Sequence, residues 1–171
     1  MNFTELAKLR YSCRKFSDKA VEPEIIEKIL EAGHLAPTGC NYQPQKILVL
    51  TDKEQLEKVG ECTRFGFNAP LNFLICFDRS LSYTRGDGKN FGEIDTTIVA
   101  THMILKAAEL GIGSTWIGAF NPVKTREVFN VPENFEILGF FPMGYPAEDA
   151  APAHFHEEYR DPAEIVFYNN F

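Results

Sequence analysis

The sequence has no C-x-x-C pair, no apolar run approaching membrane-spanning length and no excess of basic residues. Each absence removes a class of function. The four cysteines, Cys13, Cys40, Cys62 and Cys76, are scattered with no histidine at ligand spacing, so they read as reduced thiols and not as a disulfide framework or a metal site. Cys40 alone stands out, because it sits in a loop that can line a site. With 24 Asp and Glu against 17 Lys and Arg, the net charge is -7, and no basic face is expected to displace counterions from a nucleic acid. Met1-Asn2-Phe3-Thr4-Glu5 is not a basic segment leading into an apolar one, so the expected location is the cytoplasm, with no membrane partner. His154 and His156 lie two apart without further ligands nearby, and Asp87-Gly88 lacks calcium-loop spacing, so no metal is assigned. No obvious catalytic acid, base or nucleophile is present either.

What is present describes one domain. A chain of 171 residues, 44% hydrophobic and 24% charged, can bury a real core and is expected to form a single unit over residues 1–171. Thr4 can cap a short first helix that carries Phe3, Leu6 and Ala7 inward. Glu22-Pro23 opens a second, with Ile25, Ile26, Ile29 and Leu30 as its apolar stripe. Residues 46–51 read as a strand, and Asp52-x-x-Gln55 as a capping box opening a helix through Leu56 and Val59. Residues 72–78 are continuously apolar and so belong to a central strand. The longest helix spans about residues 93–110, apolar around most of its circumference, and is expected to be buried within the domain or between subunits. Asn121-Pro122 starts another helix, and residues 136–144 form the last core strand.

Four segments have chemistry on them. Arg10-Tyr11-Ser12-Cys13-Arg14-Lys15-Phe16 is basic in an acidic chain. Arg10 and Arg14 share a side whether the segment is extended or helical, so they are either a cradle for a delocalised anion or two solvated surface arginines. The loop from Pro37 to Pro44 is stiffened by its prolines and displays Thr38, Asn41 and Gln43, which can orient a ring or merely satisfy backbone groups. Residues 79–92, rich in turn residues, could form a lid or substrate rim. Gly111-Ile112-Gly113-Ser114-Thr115-Trp116-Ile117-Gly118 is not a dinucleotide fingerprint, since it follows a helix and has Trp116 in the place of the third glycine. It reads as a short strand ending in a corner at Gly118-Ala119, where backbone can approach a ligand closely. Beyond Pro146, residues 147–171 are too few to build a core yet rich in aromatics, with a strand-like Ile165-Val166-Phe167-Tyr168. They are expected to pack as an arm on another surface, which together with the apolar helix favours a homodimer.

Taken in order, these segments resemble the FMN-dependent nitroreductase family in its short form. The resemblance rests on Arg10 to Phe16, Ala36 to Pro44, Ala69-Pro70, the long helix into Leu110-Gly111-Ile112-Gly113, Trp116-Ile117-Gly118 and Gly144-Tyr145-Pro146. It implies an α+β fold with a central mixed or antiparallel sheet flanked by helices, in an intertwined homodimer with C-terminal strand exchange. It also implies FMN as cofactor. Arg10 would hold the phosphate with help from Ser12, and Arg14 would reach the pyrimidine end and stabilise the reduced ring. Pro37, Thr38 and Asn41 would come from the other subunit, with Gln43 supporting their loop. Backbone around Ile117, Gly118 and Ala119 would lie near the reactive nitrogen, and Arg160 matches the late phosphate-binding arginine. The family tail often carries several Lys or Arg ahead of that arginine, whereas here residues 154–159 include two His and two Glu.

The implied activity is ping-pong transfer of hydride from NAD(P)H through the flavin to a nitroaromatic, quinone or similarly flat acceptor, the cofactor carrying the chemistry. Two alternatives stay open: a related flavin reaction such as dehalogenation or heterocycle oxidation, and a flavin-binding sensor or carrier with little turnover.

Overall fold

The structure is a computed structural model that describes all residues from Met1 to Phe171. Its centre is a four-stranded sheet of β1 (Gln45–Leu50), β2 (Leu71–Asp78), β3 (Gly113–Ser114) and β4 (Phe135–Gly144), in the order β1-β2-β4-β3 with every ladder antiparallel. A single parallel bridge, Ser12 to Ser114, extends it outside the named strands. Five helices surround it: α1 (Phe3–Leu9), α2 (Pro23–His34), α3 (Lys53–Cys62), α4 (Gly92–Glu109) and α5 (Pro122–Phe129).

The apolar run of β2 is central as its composition requires, and all eight of its residues are buried. Leu71, Phe73 and Ile75 face α2 and α4 together with Phe141 and Met143 of β4. Leu74 and Cys76 face the opposite way, with Phe140, towards Val59 and Cys62 of α3. The result is helices on both sides of one sheet, with Phe73, Phe140 and Phe141 fully buried in it. Each such ring removed from water contributes on the order of 2 to 3 kcal/mol.

Several local expectations need correction. The first helix is capped by Asn2, not Thr4: the Glu5 N–H donates to Asn2 Oδ1 at 3.0 Å and the Asn2 N–H to Glu5 Oε2 at 2.9 Å. No residue of α1 is buried, and Phe3 is 70% exposed, since in the single chain this short helix packs mainly on α4. Asp52 stands at the N-cap of α3 without a side-chain capping bond. The longest helix, α4, buries one face, with Val99, Ala100, Met103 and Ala107 in the core, while Ile94 and Thr101 remain exposed. Ile165 to Tyr168 form no strand, since nothing in the chain offers them a ladder partner. The tail instead makes 3-10 turns at His154–Glu157 and Pro162–Glu164. Asn121 and Pro122 do start α5 as expected, with Asn121 Oδ1 accepting the Lys124 N–H at 3.0 Å.

At the head of α2, the Tyr145 hydroxyl donates to Glu22 Oε2 at 2.6 Å, tying the end of β4 to the start of the helix. That bond, followed by the one from Lys19, holds the Glu22 carboxyl down at about 2. Because the folded value lies below the unfolded one, the contribution to stability is present above about pH 4.5 and is lost as pH falls towards 2. Tyr145→Phe should therefore lower the urea midpoint at neutral pH and converge on the wild type as pH approaches 2; parallel pH profiles for the two proteins would refute the linkage.

Candidate functional site

The Arg10 to Phe16 segment is extended, which decides between the two conformations its spacing allowed. Arg10 ends α1 in an extended conformation, and the chain then runs beside β3. The Cys13 N–H donates to the Ser114 carbonyl at 2.9 Å, and Phe16 bridges Pro146. Cys13 is fully buried, and this depends on a bare backbone opposite: a Cβ on Gly113 would stand 2.8 Å from both Cβ and Sγ of Cys13. With Cys13 turned inward, the two-residue period turns Ser12 and Arg14 to the other side.

Arg10 and Ser12 form one wall of a cleft of about 340 Å³ whose other walls are Thr101, Ile104 and Leu105 of α4 and the stretch from Ser114 to Trp116. Arg10 has no carboxylate partner, although the chain is acidic and Arg79, Arg85, Arg126 and Arg160 each pair with a glutamate or aspartate. An unpaired guanidinium lining a cleft is an anion site in waiting, since its fork of donors matches phosphate geometry. Arg14 is held by a bond from Nη1 to the Ser12 carbonyl at 3.0 Å, which fixes its guanidinium beside the same segment.

Beyond β3, Ile117 exchanges two backbone hydrogen bonds with Phe140, at 2.8 and 3.1 Å, and the chain turns out to solvent at Gly118 and Ala119. Gly118 has neither a positive φ nor any atom within 4 Å of where a Cβ would be. Nothing inside the chain needs a glycine there, so the bare backbone is free for a ligand to approach. The corner is braced from behind by Thr63, whose hydroxyl donates to the Ala119 carbonyl at 2.7 Å.

The loop with Pro37, Thr38, Asn41 and Gln43 lies elsewhere. It forms a 3-10 turn at Gly39–Asn41, and Cys40, Asn41 and Gln43 all have φ between 50° and 57°. A left-handed conformation costs about 1 to 3 kcal/mol for a residue such as Cys40 or Gln43, and is milder for Asn. The Gln43 N–H donates to Thr38 Oγ1 at 3.1 Å, and Gln43 Nε2 to the Asn41 carbonyl at 3.2 Å, so Gln43 ties the two ends of the turn together. The loop is fastened to Asp95 near the start of α4, whereas Arg10 and Ser12 face Thr101 to Leu105. Between Asp95 and Thr101 the helix rises about 9 Å. Within one chain the two groups of residues are not brought together.

Arg160 does not line the Arg10 cleft: it is on the exposed tail, 3.7 Å from Glu164. The tail nevertheless begins against the basic segment, where His156 Nε2 donates to the Lys8 carbonyl at 3.2 Å and its ring meets Tyr11 edge-on at 6.3 Å.

Two residues at or beside the site escape sequence reasoning. Arg64 has no carboxylate partner, lies 4.8 Å from the centre of the Phe65 ring and follows the Thr63 that braces the corner. Asp95 is an acid 3% exposed in the first turn of α4, and the one available signal was a carboxylate on an otherwise apolar face. The thiols fit the expectation of reduced cysteines: Cys13, Cys62 and Cys76 are buried and Cys40 is exposed, none within a disulfide. Burial pushes the Cys76 thiol up to about 12 and also raises that of Cys62, so neither is a reactive thiolate.

The chain thus has an arginine without a carboxylate partner lining a cleft, and an open backbone corner two residues beyond the cleft's Trp116, on an antiparallel α+β scaffold. The nitroreductase family model matches residues 7–69 and 62–145, and the chain belongs to the nitroreductase family. A protein of Methanothermobacter thermautotrophicus named for NADH dehydrogenase/NAD(P)H nitroreductase activity is 33% identical over 157 residues, which cover 87% of this chain and 80% of that one. Among solved structures, a nitroreductase family protein of Clostridium difficile 630 is 44% identical with a TM-score of 0.93, covering all of both chains. An FMN-dependent nitroreductase of C. difficile R20291 is 30% identical with a TM-score of 0.80, covering 99% of this chain and 100% of that one. No helix of the chain is long and apolar enough to cross a membrane.

Proposed function

We propose that the protein is an NAD(P)H-dependent FMN oxidoreductase acting on nitroaromatics, quinones or similarly flat acceptors. The observation that carries this reading is the Arg10 guanidinium, unpaired in a chain of net charge -7 and lining a cleft beside the Ser12 hydroxyl. Membership of the nitroreductase family and the FMN-dependent relative support it. The residues present fit FMN: Arg10 and Ser12 supply donors for a phosphate, and Gly118 leaves its backbone open to a ring.

FMN, when bound, would supply the redox chemistry between NAD(P)H and the acceptor. The protein's part is position and charge. Arg10 and Ser12 would hold the FMN phosphate. Arg14, oriented by the Ser12 carbonyl, would bring positive charge to the pyrimidine end and there stabilise negative charge. The Ile117 to Ala119 corner, fixed by Phe140 and Thr63, lets the ring lie against backbone with no side chain between. Absence of a dinucleotide fingerprint accords with a nicotinamide that needs only the exposed flavin face.

The site is shared between two copies of the chain. The exposed apolar side chains of α1 and the tail, Phe3, Leu9, Phe155, Ile165, Phe167 and Phe171, support an arm that packs on a second subunit. A homodimer also accounts for the separation of the Asn41 loop from Arg10, since each loop would complete the other subunit's site.

Purified protein should take up FMN and be yellow, and Arg10→Ala should weaken FMN binding by about 10- to 100-fold, as expected for loss of a charged hydrogen bond. Fluorescence titration measures this, and an unchanged affinity would remove Arg10 from the phosphate role. Deleting residues 147–171 should convert the dimer to monomer in light scattering. A truncated chain that still has dimer mass would refute the arm.

A further inference from the structure

The segment from Arg79 to Phe91, a candidate lid by composition, is packed against the loop that bears Asn41. Tyr83 and Phe91 meet edge to face at 5.4 Å, and the Phe91 N–H donates to the Tyr83 carbonyl at 2.8 Å, closing the segment on itself. Ser82 is buried, its hydroxyl donating to the Asp78 carbonyl at 2.9 Å. Tyr83 lies directly over Gly39, so that a Cβ built there would be 3.1 Å from Tyr83 Cβ. Asp95 also meets Gly39, its Oδ1 accepting the Gly39 N–H at 2.9 Å. Its second oxygen, Oδ2, is buried without a partner, 3.5 Å from that same Cβ position. A buried carboxylate oxygen left unpartnered is costly, and the first turn of an 18-residue helix is where negative charge is best tolerated.

We infer that Asp95, by its hydrogen bond to the Gly39 N–H, and Tyr83, by packing on Gly39, together clamp this residue and so hold the strained Cys40 to Gln43 turn in the conformation that presents Asn41. Asp95 is a positioning residue, and residues 79–91 are a fixed buttress for the loop and not a lid over substrate. The loop has reason to relax without the clamp: three of its residues hold left-handed backbone, and apart from the Asp78 N–H donated to the Pro44 carbonyl at its end, at 2.8 Å, its remaining hydrogen bonds are made to itself. The consequence for cofactor binding rests on the FMN reading above. The clamp itself does not, because Cys40 lies in the turn and is the one exposed cysteine, a native reporter of loop conformation.

The test uses full-length protein, first without FMN. Reaction with a chromogenic disulfide reagent should label one thiol in the wild type, and the rate of that phase reads the loop. Asp95→Ala should speed Cys40 labelling roughly tenfold, and Asp95→Asn, which keeps an oxygen acceptor for the Gly39 N–H, should stay near the wild-type rate. Tyr83→Ala removes the other jaw without leaving a buried polar group, and should also speed labelling, so the inference stays testable if Asp95→Ala fails to fold. In FMN titrations the same variants should rank in the same order, with Asp95→Asn again close to wild type. Unchanged Cys40 rates in a folded Asp95→Ala or in Tyr83→Ala would overturn the clamp. Failure of the wild type to bind FMN would instead sink the flavin reading and leave the labelling result to decide the clamp alone.

Discussion

The backbone bond from Cys13 to the Ser114 carbonyl is the contact on which the site depends. It turns a basic stretch that could have been surface decoration into an extra rail along the edge of the sheet. Cys13 is sunk into the bare face of Gly113, so Ser12 and Arg14 have no freedom to point inward, and Arg10 is carried to the mouth of the cleft. The edge is short, since β3 contributes only two residues, and Phe16 on Pro146 extends the grip past its end. Everything proposed for a phosphate follows from this placement: cationic donors fixed on backbone that cannot slide away.

A second constraint acts at the opposite end of α4. One helix serves two loops, with Asp95 holding the Asn41 turn and Thr101 to Leu105 facing Arg10 and Ser12. The outward face of that helix and the unburied α1 lie between them. A second copy of the chain covering this surface would bring one subunit's turn to the other's cleft, and the same association would shelter the aromatic tail. The dimer and the cofactor site are thus one proposal, because the Asn41 loop and the Arg10 cleft are not brought together within a single chain.

The core was legible in the sequence because its signals are local. The continuous apolar run of β2 can lie only at the centre of a sheet, and Asn121-Pro122 carries its own start signal. Helix ends were less legible: Asn2 and Thr4 are both capping residues, and only geometry shows that Glu5 reciprocates with Asn2. Residues 165–168 look like a strand from composition, but a strand exists only where another supplies its ladder. The candidate site was legible only as residue types able to bind an anion, as Arg10 and Arg14 are, and the structure adds that Arg10 lines a cleft without a carboxylate partner. It was opaque at Asp95 and Arg64, whose meaning lies in what they touch across the fold and, for Arg64, in the carboxylate it lacks.

The central claim is that these residues hold a flavin that exchanges electrons with a pyridine nucleotide. Anaerobic titration of the FMN-loaded protein with NADH and with NADPH tests it most directly. Bleaching of the yellow absorbance within seconds by one or both nucleotides, and its return on adding a quinone or nitroaromatic, is the predicted result. A flavin that stays oxidised under both nucleotides would contradict the account.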